Sequence, residues 1–204
     1  KKDNIVIFEA AVLYKDFFIR ADILQEEGNH INLLEVKAKS FTPGKDSFFN
    51  NKGILYADWY EYLADAAFQK YVLSQAFPGY TVTANLMLVD KTALCPTDGL
   101  NQKFKITRDR NGRTRVIVSP ELSSEDLSTK MLTTINVDDC CDAIYKGEFG
   151  QLDQTVSFTE YVDFLAWHYT GDQKIPPVPS SECKSCPFKT NKDDEAQGLK
   201  SGFY

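Results

Sequence analysis

Three runs of apolar and β-branched residues open the chain: Ile5–Tyr14, Phe17–Leu24 and Ile31–Val36. Each predicts a strand, and the polar breaks at Lys15-Asp16 and Gly28-Asn29 predict tight turns. Glycine at the first central position of a two-residue loop suits a type II′ turn. From Phe41 to Gly53 turn formers alternate with phenylalanines, which predicts an aromatic loop. Leu55–Phe77 carries Ala, Leu, Tyr and Trp on more than one side and stops at Pro78-Gly79. That pattern predicts a long helix packed on a sheet. Thr81–Val89 reads as a further strand, and strand–helix–strand predicts a crossover to a parallel neighbour.

Past Lys91 the pattern changes. Lys103–Arg110 and Arg113–Ser119 flank Asn111-Gly112, a strong hairpin signal, and Pro120 ends the second arm because it cannot donate to a ladder. A polar connection, Glu121–Lys130, leads to a short strand, Met131–Val137. Ser157-x-x-Glu160 is a capping box, followed at helical spacing by Phe158, Tyr161, Val162, Leu165 and Tyr169, with Gly171 closing the helix. Pro176–Pro179 is a stiff spacer before Cys183-x-x-Cys186, and the polar stretch Asn191–Tyr204 is expected to be mobile. The division expected is a domain over 1–175 and an extension over 176–204.

Composition narrows the classes. The 204 residues suit one domain with a small appendage, and 43% hydrophobic against 25% charged residues excludes wholesale disorder. The net charge of −6 gives no global attraction to nucleic acid, so such a partner must be held by a local basic patch. No apolar run is long enough to span a bilayer as a helix, which argues against a membrane protein of that kind. Five cysteines, two of them adjacent at Cys140-Cys141, form no tidy disulfide framework, so a reducing cytoplasm is the expected compartment. With no initiating Met and no closing signal at Tyr204, the chain reads as part of a longer protein whose other domains would be partners.

The chemistry concentrates in the second hairpin. If Gly28-Asn29 are its two loop residues, Glu27 pairs with His30, which puts Asp22 opposite Glu35 and Arg20 opposite Lys37. Residues two apart share a face, so these four would lie together while Ala21, Ile23, Leu34 and Val36 face away. With Lys15-Asp16 as the first turn, Tyr14 pairs with Phe17 and Glu9 falls opposite Asp22. Three acids in a row repel, and a divalent cation with hard oxygen ligands, Mg²⁺ or Mn²⁺, is the simplest compensation. A cation that polarises a phosphate and supplies hydroxide, beside a lysine that steadies developing charge, suits phosphodiester hydrolysis. The plainer alternative is a solvated strand face, since acid–x–lysine is common in strands.

Asp22 followed by Glu35-Val36-Lys37 resembles the Asp…(Asp/Glu)-x-Lys signature of the PD-(D/E)XK nuclease superfamily. It is similar in particular to the RecB-like branch, which includes CRISPR-associated exonucleases. Phe8–Ala11, Glu35–Ser40 and Ala67–Leu73 also resemble the nuclease-like region of a family of long bacterial proteins, in which a Cys-x-x-Cys-Pro-Phe-like segment closes the region as Cys183–Phe188 does here. The match is good over about residues 5–90 and loose beyond. The resemblance implies an α/β, restriction-endonuclease-like fold: a mixed β-sheet flanked by helices, with a C-terminal cysteine-containing extension. It implies that Asp22 and Glu35 are metal ligands, with Glu9 a candidate third acid, and that Lys37 is the catalytic lysine. Gln69 matches the glutamine of a helical Gln-x-x-x-Tyr motif that contacts the site or the nucleic acid. Leu73 stands in place of that tyrosine, and no histidine precedes Asp22, where many relatives have one. Relatives often hold an iron–sulfur cluster; here Cys183 and Cys186 are candidate ligands for such a cluster or for Zn²⁺, or are two unliganded thiols.

Other features carry two readings each. Lys103, Lys105, Arg108, Arg110, Arg113 and Arg115 form either a phosphate-gripping arm or a solubilising hairpin. Arg20 and Lys39 are further candidates for nucleic-acid contacts. Phe41, Phe48 and Phe49 either stack on bases or pack as a lid over the helix. His30 and His168 read as structural, and Cys140-Cys141 as small buried hydrophobes. The expected function is metal-dependent hydrolysis of DNA, as an exonuclease module of a larger protein. The alternative is a catalytically silent, nuclease-derived module for nucleic-acid binding or scaffolding.

Overall fold

The computed structural model describes residues 4–110, 112–147, 149–151, 154–176 and 190–198. They group into two compact units, residues 1–144 and 145–204.

The first unit is mixed α/β. Strands β1 (Asn4–Tyr14), β2 (Phe17–Glu27) and β3 (His30–Phe41) form an antiparallel meander, and helix α1 (Ala57–Ala76) then crosses the sheet to β4 (Thr81–Asp90). The sheet order is β1-β2-β3-β4-β7, with β4 parallel to β3 and β7 (Leu132–Asn136) antiparallel to β4. Both predicted turns hold their register: Tyr14 pairs with Phe17, and Glu27 with His30. The second turn works because Gly28 sits at φ +58°, where an L side chain is strained. No helix among the described residues is long and apolar enough to cross a membrane.

The core lies between the sheet and α1. Leu33 on β3, Leu86 and Leu88 on β4, and Leu63, Val72 and Leu73 on α1 are fully buried. At about 1.5–3 kcal/mol per large apolar side chain, this layer supplies the main driving force for the unit. The polar exceptions carry partners. Asp138, which opens helix α2 (Asp138–Tyr145), accepts from the Ala84 amide at 2.9 Å and pairs with Lys70 of α1 at 2.7 Å. Burial works against its charge, but these bonds outweigh it and hold the carboxyl below the usual range.

Helix α2 was not expected from the sequence; its eight residues bury Cys140, Cys141 and Ile144. The two cysteines are indeed small core residues, and burial pushes both thiols up to about 12. In native protein at mildly alkaline pH, iodoacetamide is expected to modify exposed Cys95 and to reach Cys140 and Cys141 only after unfolding in urea. Peptide mass spectrometry checks this; labelling of the pair at the rate of Cys95 would contradict their burial.

The basic hairpin forms a separate two-stranded ribbon, β5 (Phe104–Arg108) with β6 (Thr114–Val118). Its register differs by one residue from a two-residue Asn-Gly turn: Arg108 faces Thr114, and the Asp109 amide donates to the Arg113 carbonyl. The Gly112 amide closes a turn onto the Asp109 carbonyl, and Gly112 takes φ +76°. A three-residue loop that ends on a left-handed glycine replaces the tighter turn, and the slip exchanges the faces of the arm.

In the second unit, β8 (Phe149–Gln151) pairs with β9 (Gln154–Val156), and α3 (Phe158–Thr170) starts at the predicted capping box. His168 is structural, its ring edge-on to Phe164 and its Nδ1 3.1 Å from the Gln173 carbonyl. Within the polar tail, Asn191 caps a short helix, α4 (Lys192–Ala196), with reciprocal bonds to Asp194.

Candidate metal and phosphate site

Strand β3 leaves its ladders where the predicted motif lies. Pairing with β2 stops at Ile23–Leu34, and pairing with β4 passes from Val36–Met87 to Ser40–Val89. Four residues of β3 therefore span two of β4, an irregularity of the kind that re-aims side chains in sheets. Beyond the last β2–β3 pair, the Val36 amide donates to Asp22 Oδ2 at 2.8 Å. One backbone amide thus ties Asp22 to the segment that carries Glu35 and Lys37.

On the helix side, Asp65 and Gln69 stand four residues apart on the α1 face that meets β3. Lys37 Nζ lies 2.7 Å from Glu35 Oε1 and 2.7 Å from Asp65 Oδ2. Gln69 Nε2 donates to Glu35 Oε2 at 2.9 Å and to Asp65 Oδ1 at 3.0 Å. The four side chains form a closed ring in which each carboxylate receives one ammonium and one amide hydrogen. Both partners of the Gln69 amide are carboxylates, so its orientation is decided by the network. Its Oε1 is buried and has no hydrogen-bond partner among the described residues.

Burial is the largest influence on Glu35, which is 6% exposed, and it pushes the carboxyl above the usual glutamate range against the bonds from Lys37 and Gln69. Lys37 moves the other way from what burial dictates: burial lowers it, but Asp65 and Glu35 together hold its ammonium well above the ordinary lysine range. The lysine is therefore a permanent cation at neutral pH.

The remaining sequence candidates are distributed as follows. Glu9 keeps its place between Phe8–Ile23 and Ala10–Ala21, but φ +53° takes it out of the ladder. Its carboxylate pairs with Arg20 Nε at 2.9 Å on exposed surface, so neither residue joins the ring. The expected alternation through Asp22 breaks there as well: Phe17, Ile19 and Ala21 are buried, and the next buried residue is Leu24, three positions on. Arg20 therefore does not share a face with Lys37. Leu73, in the tyrosine's place, is fully buried, and Tyr71 packs edge-on against Phe17. Phe41 and Phe48 are buried against each other and Trp59, as in the lid reading, which leaves neither free to stack on bases. Lys39 lies over Trp59. Of the basic hairpin, Lys103 is tied to Asp126 at 2.6 Å, and Arg115 approaches Asp109 at 3.7 Å. Arg108, Arg110 and Arg113 lie at the far end of the ribbon. Cys183 and Cys186 lie outside the described residues.

Asp65 was missed from the sequence. Its signal was available, four residues before Gln69 on one helical face, but an acid in a helix is usually solvated. Among the described residues no three His, Cys, Asp or Glu side chains gather around one point. The donor chemistry nonetheless suits a hard divalent ion: the Glu35 carboxylate beside a Gln69 amide whose oxygen has no hydrogen-bond partner among the described residues, and the Asp22 carboxylate on the amide of Val36, the next residue along the strand. Comparison with family models, with curated proteins and with solved structures returned no match.

Proposed function

We propose that the site hydrolyses phosphodiester bonds of DNA with the help of Mg²⁺ or Mn²⁺, in the manner of a PD-(D/E)XK nuclease with a restriction-endonuclease-like core. The observation that carries this reading is the ring of Glu35, Lys37, Asp65 and Gln69, with the Asp22 carboxylate held on the amide of Val36, the residue between Glu35 and Lys37. A buried acid and a lysine of β3 bonded to an acid and an amide of α1, with an acid of β2 anchored on the same β3 segment, are hard to account for as a solvated strand face.

Asp22 and Glu35 would hold the ion, which when bound supplies Lewis acidity toward a phosphoryl oxygen. Lys37 stays protonated and offers a fixed positive charge to the phosphate as negative charge builds on its oxygens. Gln69 orients Glu35 through its second oxygen, and Asp65 orients Lys37, so both groups are held before substrate arrives. The cysteine-containing extension and the other domains of a longer protein belong to this same reading.

The silent-module alternative has one observation in its favour, the burial of Leu73 where a polar tyrosine is expected. Labelled single- and double-stranded DNA incubated with wild type and Asp22→Asn in Mn²⁺, in Mg²⁺ and in EDTA separates the two. Cleavage by wild type that needs the metal and is slowed about 100-fold or more by Asp22→Asn is the expected result. Binding without cleavage by wild type in either metal would establish the silent module.

A further inference from the structure

Two residues beyond Lys37, a second ammonium makes no ion pair with an acid among the described residues. Lys39 Nζ sits 4.1 Å from the centroid of the Trp59 ring and 5.1 Å from that of Tyr62. Lys37 Nζ lies 5.7 Å from the same Tyr62 ring, so the two ammonium groups share one aromatic neighbour. The charges are balanced differently. Lys37 has Glu35 and Asp65, whereas Lys39 makes no ion pair among the described residues and donates to the Asp58 carbonyl at 2.6 Å. An ammonium has three donors, so two remain.

Trp59 is itself held in place, edge-on to Phe48 at 5.1 Å and to Phe41 at 6.0 Å. A locked indole face presents the cation in a defined position, and a cation–π contact of this kind leaves the charge available to an anion. Both ammonium groups lie within 5.7 Å of the Tyr62 centroid. That sets them close enough together to meet neighbouring phosphates of one strand.

We propose that Lys39, seated on Trp59, is a binding subsite for the phosphate next to the scissile one in a single strand of nucleic acid. The inference rests on the cleavage reading for what its neighbour Lys37 does. A single strand is the substrate class because Trp59 and Tyr62 are half-buried rings beside the cation, and only an unpaired base can reach them. A structural tether between β3 and α1 is the competing role, and it would show in stability and not in binding.

The test is fluorescence anisotropy of a labelled thymidine oligonucleotide, titrated in EDTA over a range of salt concentrations. Lys39→Ala is expected to weaken binding about 5–10-fold and to reduce the slope of log Kd against log salt by about 0.7, the value for one lost single-strand contact. Lys39→Arg is expected to restore both, and a duplex of equal length to bind more weakly. Lys39→Gln replaces the alanine variant if the latter does not fold. Unchanged affinity and slope, equal binding of the duplex, or no binding by wild type would each overturn the subsite. The assay contains no divalent ion, so the two readings fail separately. A strand held through Lys39 but left intact in Mn²⁺ removes the cleavage reading alone, and cleavage with binding indifferent to Lys39 removes the subsite alone.

Discussion

Lys37→Ala is expected to lower the rate of DNA cleavage by about 10²–10³-fold while leaving Mn²⁺ binding intact or tighter. The loss has the size seen when one preorganised donor to a developing oxyanion is removed. The gain in metal binding follows from the ring: the Lys37 ammonium lies 2.7 Å from both Glu35 and Asp65 and is the cation those acids hold before metal arrives. Removing it deletes a competitor for Glu35. The metal-free protein should suffer, because Glu35 is left buried with one amide donor and a like charge nearby. Truncating one partner of a buried pair costs about 3–5 kcal/mol, and the partial exposure of Lys37 and Asp65 reduces this to roughly 1–3 kcal/mol. Urea denaturation with and without Mn²⁺, calorimetric titration and single-turnover cleavage measure the three effects. Lost metal binding in this variant would make Lys37 a structural support for the acids and not the group that meets the phosphate.

Much of this site was legible because hairpin registers are set by their turns. Two-residue loops at Lys15-Asp16 and Gly28-Asn29 number every pair that follows, and Glu27–His30 through Ile23–Leu34 matches that count. The reasoning failed one step later, for a physical cause. A regular ladder would place Asp22 against Glu35, but β3 parts from β2 at Ile23–Leu34 while it stays paired with β4 through Val36, and Asp22 reaches the Val36 amide instead. Alternation carries no information about an interruption of this kind, nor about Glu9, whose positive φ turns an expected third acid toward Arg20. Asp65 required knowing which helical face meets the strand, and the helix is too uniformly apolar to say. The basic hairpin failed differently. Asn-Gly marked the turn, but the Asp109 carboxylate accepts from the Arg113 amide and favours the longer loop. Helix α2 was hidden by its brevity, since eight residues carry barely two turns of periodicity. Sequence reasoning is strongest where one local choice propagates and weakest where a ladder stops.

Glu35→Gln is expected to abolish Mn²⁺ binding and cleavage while leaving the metal-free fold at least as stable at neutral pH. The carboxyl is raised above 4.5 by burial, so folding disfavours its ionised form. For an acid shifted in this direction, the stabilising contribution is complete below the unfolded-state value and fades as pH rises through the folded-state one. Once pH has risen through the folded-state value that contribution is gone, and a neutral amide of the same shape escapes the cost of burying the charge. Its oxygen can still accept from Lys37, and Gln69 turns its amide so that its own oxygen accepts from the new NH2. A buried carboxyl whose ionised form costs stability, held beside a lysine, is the kind of perturbed group that functional sites contain. Wild-type metal affinity supplies the matching pH test. The ion needs Glu35 deprotonated, and the break in log Kd against pH reports the metal-free carboxyl. That break is expected above 4.5, with affinity falling on acidification from a higher pH than an ordinary glutamate would give. A break at or below 4.5, or a Glu35→Gln protein that binds Mn²⁺ like wild type, would remove Glu35 from the metal site and leave Asp22 without its partner acid.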